Sequence, residues 1–357
     1  MANDLLYMEG CDGITTVAAD SAEVLLDRPW TTTTAPDTTN GMPFVVTGGH
    51  AGGRAMRIHA ARSGNHDRGL RLNVQNENAD LWVGWWWRLN TSGLHVRILV
   101  LYVDGVAVWS VQNQSNNGTI YSVLNPDMSG VAELEDAAES IVTTGTQVND
   151  ECRFRVHVRR EASEGTVDLY LDGDLIISDT FAAIAAGAGP IDVLFNGRSS
   201  ITNSSNFSSD YDELWVAESD YGEPRIIVLR PDADGTYTDG TLSTGTDAFA
   251  ILNQDLNVTT EDVTLAGGDK LTMEIDAAQL ATLNALNAAA IQVDIYTEGP
   301  TSVDAIHRLG GTDYNLGTVN QPAAGTATGR LLLFTNPATG GSFVPSDFEG
   351  GEFGMEA

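Results

Sequence analysis

CRFRVHVRR (residues 152–160), TVDLYLDGDLIISD (166–179) and DYDELWVAE (210–218) follow one another along the chain, and their reading decides the fold. In the first, Phe154, Val156 and Val158 alternate with Arg153, Arg155, His157 and Arg159. A period of two is the mark of a strand with one buried and one wet face. The second places Asp172-Gly173 between two apolar-alternating runs, where a two-residue hairpin turn needs positive φ angles. The third alternates again and reads as a further strand.

Working outward, the same pattern recurs. LLYMEGCDGI opens with a short strand, and RAMRIHA (54–60) and GLRLNV (69–74) flank the polar loop RSGNHD. ADLWVGWWWRLN (79–90) comes next, then HVRILVLYVDGVAVWSVQNQ (95–114), with Asp104-Gly105 marking a second hairpin. TIYSVLN and IDVLFNG bring the total to roughly a dozen short strands separated by Gly, Asn and Asp turns, which argues for a two-sheet sandwich, with a closed barrel as the alternative.

A break falls at SDYGEP, so one domain is expected over residues 1–220 and a second over 224–357. The second begins with RIIVLRPDADG and turns rich in Thr, Asp and Gly. AQLATLNALNAAA then offers a helix with Asp276 as N-cap and Leu280, Leu283, Leu286 and Ala290 at helical spacing. IQVDIYTEG, GRLLLFTN and FEGGEFGME read as strands. The C-terminal domain is therefore expected to be smaller and β-rich, either α+β or a sandwich with one packed helix.

The chain has 357 residues and 42% hydrophobic content, enough for globular domains with cores of their own. Asp and Glu number 49 against 18 Lys and Arg, a formal charge of -31. Such acidity repels phosphate backbones and anionic lipid, which argues against nucleic acid as a partner. Lys270 is the only lysine, a balance that suits salty surroundings and equally a GC-rich, acidic proteome. No run approaches the ~18 apolar residues of a membrane span. MANDLLYMEG lacks the basic and apolar parts of a secretory signal, so export by its own peptide is not expected. Cys11 and Cys152 are the only cysteines; two buried thiols are favoured over a disulfide.

The order of segments resembles the concanavalin-like, laminin-G-like jelly rolls of tailed-phage virion proteins. The resemblance rests on Asp212-Glu213-Leu214-Trp215, then Arg225 to Gly235, Ser243 to Asp247, Gly310 to Tyr314 and Phe353 to Glu356, which occur in the same order. It implies a mainly β chain, a jelly-roll β-sandwich followed by a smaller β-rich domain with one helix. It also implies a structural part of the virion exterior, as capsid decoration, head fibre or tail-associated protein. Adhesion and reinforcement would be its work, with other virion proteins and copies of itself as partners. A lectin-like adhesin for host surface glycan is the alternative, and a polysaccharide depolymerase a weaker one.

Four tryptophans stand together in LWVGWWWRL. By strand alternation Trp85 and Trp87 share one face, Trp82 and Trp86 the other. One face must be core; indoles on the opposite face can stack on sugar rings or on a neighbouring subunit. Trp85 and Trp87 are taken as the candidate anchors. Arg153, Arg155, His157 and Arg159 form a basic stripe, readable as a docking surface for an acidic partner or as a solvated face paired with Asp168 and Tyr170 of the next strand.

Other chemistry finds less support. The Glu-x-Asp-x-x-Glu strand of jelly-roll glycosidases is absent, and Glu133, Glu135, Asp136 and Glu139 read as a solvated cluster, so no enzyme activity is expected. Neither G-x-S-x-G nor a Walker loop occurs. No strand and helix flank GGHAGGRA (48–55) in the order phosphate cradling needs. PDADGTYTDG (231–240) has the oxygens for calcium but not the spacing of an EF-hand, and reads as a turn. Zinc lacks any C-x-x-C or H-x-x-x-H spacing, and no cofactor is expected. His50, His59 and His66 are read as ordinary loop histidines.

Overall fold

The computed structural model describes residues 5–9, 30–32, 44–47, 49–50, 54–60, 69–90, 96–114, 118–126, 138–146, 150–196, 207–224, 229–252, 262–275, 289–297, 301–321, 325–333 and 335–357. The chain divides into two compact units, one spanning Asp4–Ile226 and one built from Ile227–Ala357.

The first unit holds fifteen described strands: β1 (Leu5–Glu9), β2 (Trp30–Thr32), β3 (Phe44–Thr47), β4 (Arg54–Ala60), β5 (Gly69–Asn76), β6 (Asp80–Leu89), β7 (Val96–Val103), β8 (Val106–Gln114), β9 (Thr119–Leu124), β10 (Ser140–Thr143), β11 (Glu151–Arg160), β12 (Gly165–Leu171), β13 (Asp174–Phe181), β14 (Ile191–Asn196) and β15 (Phe207–Ala217). They form two antiparallel sheets. An eight-stranded sheet runs β13-β12-β11-β6-β15-β4-β3, with β1 also paired to β15, and a seven-stranded sheet runs β10-β9-β8-β7-β14-β5-β2. Neighbours in space are often distant in sequence, as β6 is between β11 and β15. The result is a mainly β, jelly-roll sandwich.

Its core is the meeting of two alternating faces. Leu81, Val83, Trp85 and Trp87 of β6 and Phe154, Val156 and Val158 of β11 face Leu101 of β7, Trp109 and Val111 of β8 and Phe195 of β14. Trp85 stacks on Phe154 at 5.3 Å between centroids and meets Phe195 edge-on at 5.6 Å. Burial of each such side chain contributes about 1.5–3 kcal/mol or more. Tyr211 of β15 crosses this layer and donates its hydroxyl to the Ile98 carbonyl at 3.0 Å, and burial pushes its pKa far up. At one margin the buried Asp179 of β13 accepts Trp109 Nε1 (2.8 Å) and Ser140 Oγ (2.6 Å), tying the edge strand of one sheet to that of the other.

Both Asp-Gly turns are as expected: φ is +48° and +77° at Asp104-Gly105 and +50° and +93° at Asp172-Gly173. These mirror-image turns match the right-handed twist of the strands they join.

The second unit contains β16 (Pro231–Thr238), β17 (Thr241–Leu242), α1 (Ala248–Leu252), β18 (Val263–Thr264), β19 (Lys270–Ile275), β20 (Ala289–Thr297), β21 (Thr301–Leu309), β22 (Thr312–Gln321), β23 (Gly325–Leu333) and β24 (Glu352–Glu356). Five of the strands form a sheet in the order β16-β19-β24-β21-β22, and β17-β18 and β20-β23 pair separately. Phe343, Phe348, Phe353 and Leu333 cluster in its core. Three expectations need correcting or placing. Residues 231–238 form a strand and not a turn, because they pair with β19, and Asp234 there caps α1 by accepting the backbone N–H groups of Ala248 (3.2 Å) and Phe249 (2.7 Å). The helix expected from Asp276 lies outside the described residues up to 288, and Ala290, assigned to its apolar stripe, pairs with Leu332 in β20. The β21–β22 hairpin was missed, although Gly310-Gly311, at φ +59° and +84°, stands at its turn.

Candidate functional site

Alternation that sends Trp85 and Trp87 inward sends another set of side chains to the outer face of the eight-stranded sheet. From β12 to β4 this face carries Asp168 and Tyr170, then Arg153, Arg155, His157 and Arg159, then Trp82 and Trp86, then Asp210 and Trp215, then Arg57. On the corresponding face of the other sheet Ser110, Gln112 and Tyr121 are fully buried, bonded through Tyr121 Oη to Gln112 Oε1 (3.2 Å) and Gln112 Nε2 to Ser110 Oγ (3.3 Å), while Ile141, the register partner of Tyr121 at the sheet edge, is exposed.

At the centre, Trp82 and its register partner His157 stack with centroids 3.9 Å apart and planes at 11°. Tyr170 lies 5.8 Å from Trp82, and the Arg155 guanidinium sits 5.2 Å over the Tyr170 ring. On the other flank of Trp82 the register partner is Ala217, a single methyl. Trp82, His157 and Tyr170 are all half-buried, so their rings form a partly open aromatic ridge.

Ionic contacts surround this ridge. His157 Nε2 meets Asp80 Oδ1 at 2.9 Å, Arg155 pairs with Asp220 at 2.5 Å, and Arg159 with Asp168 at 2.7 Å. Ser178 Oγ also donates to Asp168, at 2.6 Å. Asp210, fully buried, accepts Arg57 through two bonds of 2.7 and 2.9 Å and Arg88 through one of 2.8 Å. A fork of this kind fixes the carboxylate plane as well as its charge.

Next to Trp86 lies a cluster that sequence reasoning missed. The β15 strand bulges between Asp212 and Trp215, and Glu213 there adopts φ +49°, a left-handed conformation costing about 1–3 kcal/mol in a residue with a side chain. The bulge aims the buried Glu213 carboxylate at His50 Nδ1 (3.1 Å) and Arg153 (2.6 Å). Arg153 also donates to His50 Nε2 at 3.3 Å and to the Pro224 carbonyl at 3.3 Å. His50 is thus a member of this face and not an ordinary loop histidine; the charged Asp-Glu pair in a strand otherwise alternating apolar was the available signal.

Of the expected anchors, Trp85 and Trp87 are at most 2% exposed and belong to the core, so neither reaches a surface of this chain. Trp86 points to the outer face but is covered, packed on Ala55 and beneath Arg88 at 5.4 Å. Only Trp82 of the four remains accessible. The basic stripe is placed on the outer face, and each of its four members meets a carboxylate, with Asp168 and Tyr170 of the next strand among the partners. Cys152 is buried against the Trp87 carbonyl, and burial pushes its thiol pKa well up; Cys11 and His66 lie outside the described residues. Among the described residues no three His, Cys, Asp or Glu side chains converge as a metal site, and no helix is long and apolar enough to cross a membrane.

Among the described residues of the second unit, Asp313 accepts Arg308, Lys270 (3.0 Å) and Tyr237 Oη (3.0 Å). Partial burial works against the Asp313 anion, but these donors outweigh it and hold its pKa below the usual range.

No family model matches the chain, and no curated protein matches it. Solved structures of similar shape include an alginate lyase, Aly36B, in complex with alginate trisaccharide, at 9% identity and a TM-score of 0.43 over 61% of this chain and 99% of that one. A sialidase matches at 8% identity and a TM-score of 0.42, over 60% of this chain and 18% of that one. Alginate lyase A1-II', of polysaccharide lyase family 7, matches at 14% identity and a TM-score of 0.35, over 48% and 82%. At these identities the likeness is one of fold alone.

Proposed function

We propose that the N-terminal sandwich is a glycan-binding, lectin-like module and that the outer face of its eight-stranded sheet is the binding surface. The observation that supports this is the half-buried ridge of Trp82, His157 and Tyr170, set in the middle of a face whose charged side chains are held in ion pairs. An indole or phenol face packs against the C–H side of a pyranose, while ordered guanidinium and carboxylate groups around it bond hydroxyls and set orientation. The reading is one of binding: Asp210 and Glu213, two buried carboxylates of the face, each bridge two cationic or imidazole partners and are held as anchors of the surface.

Affinity electrophoresis of the purified chain through gels containing defined polysaccharides tests the proposal. Retardation by a polysaccharide, lost in Trp82→Ala and Tyr170→Ala, is expected. Retardation that both variants retain would move the binding surface elsewhere.

The setting we propose is the exterior of a tailed virus particle, as the sequence resemblance implies, where such a module would attach the particle to host surface glycan. Quantitative mass spectrometry of purified particles tests it: a fixed copy number relative to the capsid protein is expected, and absence of the chain from particles would remove the setting.

A further inference from the structure

The binding reading leaves the class of glycan open, and the electrostatics of the face narrow it. We infer that the ligand is a neutral, hydroxyl-rich polysaccharide and not a polyanion; the inference rests on the proposal that this face binds glycan.

Among the described residues five arginines lie on this face, so a first look suggests a site for uronate or sulfate. Their partners remove that option. Arg57 and Arg88 share Asp210, Arg153 holds Glu213, Arg155 holds Asp220 and Arg159 holds Asp168. Asp210 is fully buried, Glu213 is 4% exposed and Asp168 is also buried. An anionic sugar that drew Arg153 or Arg159 to itself would take from the buried Glu213 or Asp168 the guanidinium that pairs with it, and one that drew Arg57 or Arg88 would leave the buried Asp210 with half of its pairing, losses that are costly away from water; Arg155 answers to Asp220, a carboxylate that stands in water. The incoming anion would also approach a chain of formal charge -31, whose field opposes it at long range.

A neutral sugar meets neither obstacle. Its hydroxyls both donate and accept, and a surface of intact ion pairs offers both functions side by side: guanidinium N–H groups not used by the carboxylate, and carboxylate lone pairs not used by the guanidinium. A carboxylate or sulfate brings acceptors alone. The central ridge supplies apolar area for the C–H face of a ring and asks for no charge.

The test uses the full chain and its Trp82→Ala variant in affinity electrophoresis against neutral polymers (dextran, mannan, galactan) and polyanions (alginate, heparin), each at low and high salt. Retardation by at least one neutral polymer, unchanged by salt and lost in Trp82→Ala, is the expected result. Retardation by a polyanion that weakens as salt rises would overturn the neutral class while leaving the glycan-binding proposal standing. Binding of neutral polymer that survives Trp82→Ala would overturn the placement on this face. Failure of every polymer to retard the chain would overturn both.

Discussion

Trp215 lies directly across Gly84: a Cβ added at Gly84 would stand 2.3 Å from the indole Cε2 and Nε1. The two are register partners on β15 and β6, so the glycine in the middle of a tryptophan-rich strand is there to let a neighbouring indole lie flat over the backbone. Gly84→Ala must displace a ring that is 3% exposed and packed near Tyr221, and is expected to destabilise the first unit by about 1–3 kcal/mol. In a Trp215→Ala background the same change should cost much less. Denaturant unfolding of the two single variants and the double variant reads this coupling directly.

Asp210 and Asp80 both form ion pairs on the outer face, yet their removal should differ severalfold. Asp210 is fully buried and bonded to Arg57 and Arg88, so Asp210→Asn takes the anion from the Arg57 fork and from the Arg88 bond, and a loss of about 3 kcal/mol is expected. The Asp80 side chain is half exposed beside His157, and Asp80→Asn should change stability by less than about 1 kcal/mol. Equal effects in urea unfolding would contradict the burial argument.

The sandwich was legible because each strand that alternates cleanly has one buried and one wet face, as CRFRVHVRR does. Asp-Gly pairs located the hairpins because few other residues adopt their φ angles. The site was less legible. Alternation separated Trp85 and Trp87 from Trp82 and Trp86, but it could not say that the core would claim the first pair or that Ala55 and Arg88 would cover Trp86. The cluster of His50 with Glu213 and Arg153 joins positions more than a hundred residues apart through a bulge, and a bulge leaves no period to read. In the second unit, Asp234 and the residues after it look like a turn because their composition is that of turns, while pairing with β19 makes them a strand.

His307 predicts how the second unit responds to acid. It is fully buried, stacked on Phe353 at 4.4 Å and 5.9 Å from Phe343, and burial pushes its pKa below the ordinary histidine value, outweighing the nearby Asp347. The unfolded chain therefore binds this proton more readily than the folded one. Stability is whole above the unfolded pKa of about 6.5 and falls as pH drops from there towards the lower folded value. Asp313 and Glu352, also held below their usual pKa values, add a second loss at more acid pH, where the unfolded chain again takes up protons first. Calorimetric unfolding of the intact chain from about pH 8 to about pH 5 should show the second unit's transition descending below about pH 6.5. In His307→Phe that descent should be absent over this interval while the first unit's transition is unchanged.

Trp82 and Trp87 stand five residues apart on one strand, and their truncation should separate binding from folding. Trp87 is fully buried and meets Phe154 edge-on at 5.8 Å, so Trp87→Ala opens a core cavity and should cost about 3–5 kcal/mol. Trp82 stands on the other face with His157 on one flank and only the Ala217 methyl on the other. Its truncation uncovers no core, so the loss of stability should stay near 1 kcal/mol, the worth of an aromatic stacking contact with some buried area. If the outer face is the binding surface, Trp82→Ala should keep its unfolding midpoint close to that of the parent and lose polysaccharide retardation. Trp87→Ala, studied at a temperature where it remains folded, should retain it. The reverse pattern would place the ligand against the opposite side of the strand, which the sandwich core already fills.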